Sequence, residues 1–246
     1  VTTEWLKRQR GARPFVYGHR GAPLLLPENT LAGFDRALDQ GADGVELDVR
    51  MCASGEVVVI HDRDLLRVAK DAGVVAALSL NELRARDLGH GQHVSTLHEV
   101  IDLVRGRDRI INIEIKSDVP DQDALCAAVA DCLYSRSEAD RARLFISTFH
   151  PAIVHGLRRY KVTLPFGFLF EQLDVGQAGI AALAPDGAHP DRRITAQSDV
   201  TAWTRDNLFV NVWTVNEPAR AHELASWGVD GLITDDIPTV LRALDA

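Results

Sequence analysis

The sequence has no apolar run approaching the roughly 18 residues that a membrane span requires. Its opening stretch, VTTEWLKRQRGARPF, carries charges but no apolar segment of the secretory-signal kind. Stable membrane insertion is therefore not expected, and the cytoplasm is the expected location. Cysteine is scarce: Cys52, Cys126 and Cys132 show neither CxxC spacing nor a Cys/His ligand pattern. That argues against a disulfide framework or a zinc site and reads as reduced intracellular thiols, with Cys126 and Cys132 buried in an Ala-rich helix. Positive charge is also short, with 27 Lys and Arg against 35 Asp and Glu and a formal net charge of -8. Nucleic-acid affinity rests on clustered Lys and Arg, so no nucleic-acid partner is expected. A small phosphate needs only a few local cations or a metal. No repeat, low-complexity tract or Pro/Ser linker divides the chain, which reads as a single domain over 1–246.

What is present alternates. Strand-like runs at 15–19, 44–50, 110–116, 143–148, 165–170, 186–190, 208–215 and 230–234 are separated by helical patterns. The helical patterns fall at 29–40, 96–105, 121–136, 151–160, 176–183, 196–206, 217–227 and 237–244. Asn29 or Thr30, Asp121 and Asn216 offer starting caps, and Gly41 and Gly228 offer stops. Eight strand–helix units predict an α/β fold, a (β/α)8 TIM barrel, with a doubly wound open sheet as the alternative. The pattern breaks between the second and third barrel strands, where an insertion at approximately 51–95 contains a short strand, 56–60, followed by His61-Asp62. An excursion at that end of a barrel strand lands on the face where barrel active sites form.

Side chains alternate across a strand, so residues two apart share a face. In GVELDVR, Glu46 and Asp48 oppose Val45, Leu47 and Val49; in IINIEIK, Asn112, Glu114 and Lys116 oppose Ile111, Ile113 and Ile115. In a barrel the apolar rows would pack under the helices and the acids would point inward, where bare charges cannot stay unpaired. Glu46, Asp48 and Glu114 form a plausible all-oxygen ligand set for one divalent cation, Mg²⁺ or Ca²⁺. The bland alternative is a structural ion network with Arg20, Arg50 and Lys116. The only lysines are Lys7, Lys70, Lys116 and Lys161. One retained in a strand beside a carboxylate, Lys116, suits a point charge aimed at a phosphate oxygen. His19 and His61 both follow strands, and imidazole is the side chain suited to proton transfer near neutral pH, so they read as an acid/base pair around a metal-held phosphate.

The segments GHRGA, PENTLAGF, GADGVELDV, VVVIHD, STLHEV, INIEIK, VNVWTVNEP and GVDGLITDD resemble, in order and approximate spacing, the glycerophosphodiester phosphodiesterases. The resemblance implies a divalent cation on Glu46, Asp48 and Glu114, catalytic His19 and His61, and phosphate contacts from Arg20 and Lys116. It also implies a small glycerophosphodiester substrate, cleaved to an alcohol and glycerol 3-phosphate through a cyclic phosphate. The sequence leaves open which histidine is the acid, with His19 as acid and His61 as base the working assignment. Trp213 could wall the glycerol side of the pocket or simply fill core; His189 and Phe149 are weaker pocket candidates. Gly18 and Gly21 would let the chain turn and the substrate approach.

Two departures from the family pattern, LLRVAKDAG after the HD segment and Ala53-Ser54-Gly55 before the short strand, question substrate fit rather than activity. Leu24-Leu25-Leu26 is expected to pack under the excursion; as an apolar wall it would instead favour lysophospholipids. Rival readings are a lysophospholipase D, a phospholipase D-like lyase that leaves a cyclic phosphate, and a non-catalytic barrel that binds phosphorylated ligands.

Overall fold

A computed structural model describes residues 3–9 and 11–245. The chain enters through β1 (Phe15–His19), α1 (Leu31–Asp39), β2 (Gly44–Met51) and β3 (Val57–Val59). It continues through α2 (Leu66–Ala69), α3 (Leu80–Arg84), β4 (Ser95–Thr96), α4 (Leu97–Arg105) and β5 (Ile110–Ile115). Then come α5 (Gln122–Tyr134), α6 (Glu138–Arg141), β6 (Leu144–Thr148), α7 (Pro151–Arg159), β7 (Phe166–Phe170) and α8 (Leu173–Leu183). The last elements are β8 (Gly187–Pro190), α9 (Gln197–Arg205), β9 (Phe209–Val212), α10 (Pro218–Trp227), β10 (Gly231–Thr234) and α11 (Ile237–Leu244).

Parallel pairing runs β1-β10-β9-β8-β7-β6-β5-β2, and β1 also pairs with β2, so the sheet closes on itself. The fold is a (β/α)8 barrel and the open-sheet alternative is set aside. The outward rows, Val45, Leu47 and Val49 on β2 with Ile111, Ile113 and Ile115 on β5, are buried in the apolar layer beneath the helices. That is the burial the alternating patterns require. The barrel floor is filled by Tyr17, Ile110, Phe145, Phe209 and Ile233, with Leu6 from the N-terminal segment. Phe145 meets the rings of Tyr17 and Phe209 edge-on at 5.9 and 5.7 Å, a favoured aromatic geometry. This apolar plug seals one end, so the polar inward residues collect at the other. Cys126 and Cys132 are buried in α5, as their surroundings suggested.

The excursion has its own construction. β2 runs on to Met51 and turns back antiparallel through β3, which pairs with β4. Cys52, Val58, Ile60, Leu65, Val75, Leu83, Leu88 and Val94 form a separate small apolar cluster under it. Leu24 and Leu25 do not join that cluster; they are 65% and 51% exposed. The expectation that this run packs under the excursion is corrected: the excursion fills its own underside.

Most boundaries shift by one or two residues, and two shift by three. α8 begins at Leu173, ahead of the predicted 176; no side-chain cap at Gln172 marks that start in the sequence. β9 stops at Val212, after which Trp213 makes a single bridge to Asp191. Thr30, not Asn29, caps α1 by accepting from the Gly33 N–H. Asp121 caps α5 as expected, whereas Asn216 does not cap α10. Among the described residues, no helix is long and apolar enough to cross a membrane.

Candidate active site

β2 and β5 run side by side with Glu46 opposite Asn112 and Asp48 opposite Glu114. The inward acids predicted from the two strands therefore meet, with one oxygen each from Glu46, Asp48 and Glu114 within 4.8 Å of one another. Burial and then the Asp48 charge push the Glu46 carboxyl up to about 8. Glu114 is raised for the same two reasons. Asp48 is held below its ordinary value: burial opposes its charge, but Lys116 and Arg20 outweigh it. Asn29 donates to Asp48 Oδ2 at 2.9 Å, which is why that residue does not cap the helix. Three carboxyls this close, two resisting ionisation, are a donor set short of positive charge. All-oxygen chemistry and mutual distance fit a hard divalent cation held by Glu46, Asp48 and Glu114.

The other predicted residues gather around this cluster. A cavity of about 260 Å³ is lined by His19, Arg20, His61, Lys116 and Trp213 together with Glu46 and Glu114. Arg20 sits in a left-handed backbone conformation, φ 55, and its N–H donates to Glu46 Oε2 at 3.0 Å. Its guanidinium lies 3.3 Å from Asp48 Oδ2 and 3.0 Å from Glu28 Oε1. Gly21 continues the turn at φ 94, where a side chain would strike the Gly33 backbone. Gly18 does not serve substrate approach: a Cβ there would press on Ala37 and Ile237, beneath the helices. Lys116 Nζ is 2.7 Å from Glu114 and 3.4 Å from Asp48. Arg50 leaves the cluster altogether, donating to the His61 carbonyl at 2.8 Å and to the Asp118 carboxylate at 2.7 Å.

Each histidine is clamped at the same ring nitrogen. His19 Nδ1 lies 2.7 Å from Asp235 Oδ1, and His61 Nδ1 lies 2.7 Å from Asp62 Oδ1. An ionised carboxylate only accepts, so in each neutral ring Nδ1 carries the proton and Nε2 is the nitrogen available for transfer. Burial disfavours the charged His19 ring, but the Asp235 hydrogen bond and the Glu46 charge prevail and raise it. Asn216 donates to the second Asp235 oxygen at 2.7 Å, the use to which it is put in place of capping.

Trp213 does line the cavity, fixed by donation from Nε1 to the His189 carbonyl at 2.8 Å and packed edge-on to Phe149 at 5.4 Å. His189 itself lies below, with ring contacts to Phe145 and Phe209, and burial alone pushes it down to about 3. It is a neutral core residue and not a pocket wall.

Comparison with known proteins places the chain in a family. The pattern of the "Glycerophosphoryl diester phosphodiesterase family" matches residues 19–239, a span that includes every residue of the cluster. The chain belongs to that family. Membership makes it a phosphodiesterase. It is similar to a glycerophosphodiester phosphodiesterase of Caldanaerobacter subterraneus subsp. tengcongensis, 31% identical over 94% of this chain and 97% of the other. It is also similar to one from Bacillus altitudinis, 31% identical over 89% of this chain and 94% of the other. The crystal structure of the Thermotoga maritima glycerophosphodiester phosphodiesterase superposes with TM-score 0.78 at 28% identity, covering 94% of this chain and 98% of that one. A structure from Silicibacter pomeroyi DSS-3 reaches TM-score 0.89 at 27% identity, covering 99% and 96%.

Sequence reasoning missed two residues that position the histidines and their acids, Arg67 and Asp235. Arg67 spans from Asp62 to Glu28: Nε donates to Asp62 Oδ2 at 2.6 Å, and the two Nη groups donate to Glu28 at 2.5 and 2.7 Å. Through it the acid on His61 is tied to the acid on Arg20. Burial works against the Asp62 charge, but Arg67 and His61 bring that carboxyl down to about 2. Arg67 lies in the LLRVAKDAG stretch, which sequence reasoning had assigned to substrate fit. Its only signal was position, six residues after His61. Asp235 had a fainter one, as an acid after the last strand.

Proposed function

We propose that the protein hydrolyses glycerophosphodiesters to an alcohol and glycerol 3-phosphate, with His19 and His61 exchanging protons over a phosphate held by Arg20 and Lys116. One observation carries the reading: two histidines, each with Nδ1 held by a carboxylate, line one cavity with two cations and with Glu46 and Glu114 of the three-acid cluster. A binding-only barrel has no use for two separately oriented proton carriers. The chain is read as one cytoplasmic domain with the excursion as an insertion.

The chemistry follows from the positions. Arg20 and Lys116 offer N–H donors to the non-bridging phosphate oxygens and hold the phosphorus beside both imidazoles. His61 Nε2 takes the proton of the glycerol 2-hydroxyl as that oxygen forms a bond to phosphorus. The bond from phosphorus to the head-group oxygen breaks, and His19, entering the step as the imidazolium with Nδ1–H still on Asp235, gives its Nε2 proton to the departing alcohol. The cyclic phosphate is then opened by water with the roles reversed: His19 accepts the water proton and His61 returns its own to the 2-hydroxyl oxygen. Proton transfers of this kind contribute typically 10²–10⁴-fold. A divalent cation on Glu46, Asp48 and Glu114, Mg²⁺ or Ca²⁺, would supply charge stabilisation at the phosphate oxygens. Asp235 and Asp62 hold the Nδ1–H of each ring so that Nε2 faces the substrate in both protonation states, and Arg67 holds Asp62 in place.

The test is release of glycerol 3-phosphate from glycerophosphocholine and glycerophosphoethanolamine by metal-stripped protein, with and without Mg²⁺ or Ca²⁺, alongside His19→Ala. Metal-restored release that the variant lacks supports the reading. Absence of release from either diester with either ion refutes it, and accumulation of cyclic phosphate alone would indicate the lyase.

A further inference from the structure

The lower part of the same cavity contains two neutral polar side chains with nothing to bond. Asn112 is 1% exposed and Ser147 fully buried, and both line the cavity. Among the described residues, neither amide atom of Asn112 nor the Ser147 Oγ has a hydrogen-bond partner. Tyr17, Ser95, His189 and Asn211 also carry unpartnered buried atoms, but none of these lines the cavity; Arg20 Nε does, and it lies 3.3 Å from the Asp48 carboxylate. A buried donor or acceptor left unpaired is costly, so groups that open onto a pocket are groups a ligand can satisfy.

Their placement says what kind of ligand group. Asn112 is the cross-strand neighbour of Glu46, and Ser147 that of Glu114. Neighbouring strands lie about 4.8 Å apart, so both polar groups sit against the acid cluster. An anion would be repelled there, and the phosphate already has Arg20 and Lys116. Asn112 offers two donors and an acceptor, Ser147 one donor and an acceptor, all uncharged. That is the complement of an alcohol hydroxyl, which both gives and receives. Leu169 and Ile233 supply apolar wall beside them for a short carbon skeleton.

Resting on the proposed phosphodiesterase activity, we infer that Asn112 and Ser147 form a hydroxyl-reading floor for the terminal hydroxyl of the glyceryl group. The glyceryl end points into the barrel and the head group points out past Phe149 and Trp213, which puts Trp213 on the head-group side and not on the glycerol side expected from the sequence. The floor makes the enzyme selective for the glycerol end and leaves the head group less constrained.

The test pairs a substrate deletion with side-chain deletions. Wild type, Asn112→Leu and Ser147→Ala are assayed on glycerophosphocholine and on the analogue with propane-1,2-diol in place of glycerol. The analogue keeps the hydroxyl next to the phosphate-bearing carbon and lacks the terminal one. Wild type is expected to favour the glycerol diester by about 10- to 100-fold in kcat/KM, because the analogue leaves buried polar groups unpaired. Each variant should lose more on the glycerol diester than on the analogue, with the preference falling at least about fivefold. Ser147→Ala keeps the test decisive should Asn112→Leu not fold. A wild type that treats the two diesters alike, or variants that keep the full preference, would overturn the floor while leaving the phosphodiesterase reading intact. Turnover of neither diester by wild type would refute that reading instead. Calorimetric binding of glycerol 3-phosphate against propane-1,2-diol 1-phosphate to the three proteins would then decide the floor alone: a wild-type preference that the variants lose supports it, and equal binding overturns it.

Discussion

Glu46 should make the metal-free protein lose stability as the pH rises. Its carboxyl has an ordinary value of 4.5 and is pushed up to about 8 in the fold, by burial first and the Asp48 charge second. Between those two values the folded chain binds the proton more tightly than the unfolded chain does. Stability therefore falls as pH climbs from about 4.5 and levels off above about 8. At about 1.36 kcal/mol for each pH step, the whole interval corresponds to about 5 kcal/mol. Water penetration and relaxation raise the effective dielectric, which makes that figure a ceiling and about 2–5 kcal/mol the working range. Against a total of roughly 5–15 kcal/mol this is a large fraction. For a chain of this length it corresponds to about 5–15 °C in melting temperature. Glu46→Gln keeps the shape and removes the titration. The assay is thermal melting of wild type and Glu46→Gln in chelator from pH 5 to 8.5, then with Mg²⁺ or Ca²⁺ added. Wild type should fall relative to the variant across that window, and the cation should recover most of the loss at pH 8 in wild type only. Parallel melting curves for the two proteins in chelator would refute the reasoning, because the acid cluster would then carry no stored repulsion.

The remaining expectations concern the proton carriers, the clasp and the barrel floor. His19→Ala and His61→Ala should each lower kcat by about 10²–10⁴-fold while KM moves only a few-fold, read by steady-state release of glycerol 3-phosphate; unchanged kcat in either would remove that histidine from the mechanism. Arg67→Ala frees both Asp62 and Glu28, yet Arg67 is 48% exposed. It should cost about 3- to 30-fold in kcat with less than about 1 kcal/mol of stability, the ordinary worth of an exposed ion pair. A kcat equal to wild type would mark the clasp as surface decoration. Phe145 is fully buried amid Tyr17, Phe209 and His189, so Phe145→Ala should cost about 3–5 kcal/mol in urea unfolding. A loss below about 1 kcal/mol would show that the floor collapses around the gap.

Local pattern decided a good deal. Period-two alternation in GVELDVR and IINIEIK assigned each side chain to a face without knowledge of any partner, because the pleat is a property of the strand itself. Thr30, Asp121, Gly41 and Gly228 mark helix ends through hydrogen bonds and backbone angles that lie within a few residues. The cluster of Glu46, Asp48 and Glu114 was legible for the same reason: once the strands are inward-polar and neighbours, the acids must meet.

What the sequence could not supply is the choice among equivalent partners across a closed ring. Asp235 reaches His19 from 216 positions away, because β10 closes on β1. Arg50 turns to Asp118, and Lys116 adds Asp48 of the neighbouring strand to its local partner Glu114, according to what the barrel rim brings near. Asn216 could cap a helix by its neighbours alone, but the fold spends it on Asp235. Leu24 and Leu25 remain exposed because the excursion filled its underside with its own side chains. A strand's periodicity is fixed within the strand. Which charge faces which, and which polar groups end up without a partner at Asn112 and Ser147, depends on register and closure, and those exist only once the whole sheet has formed.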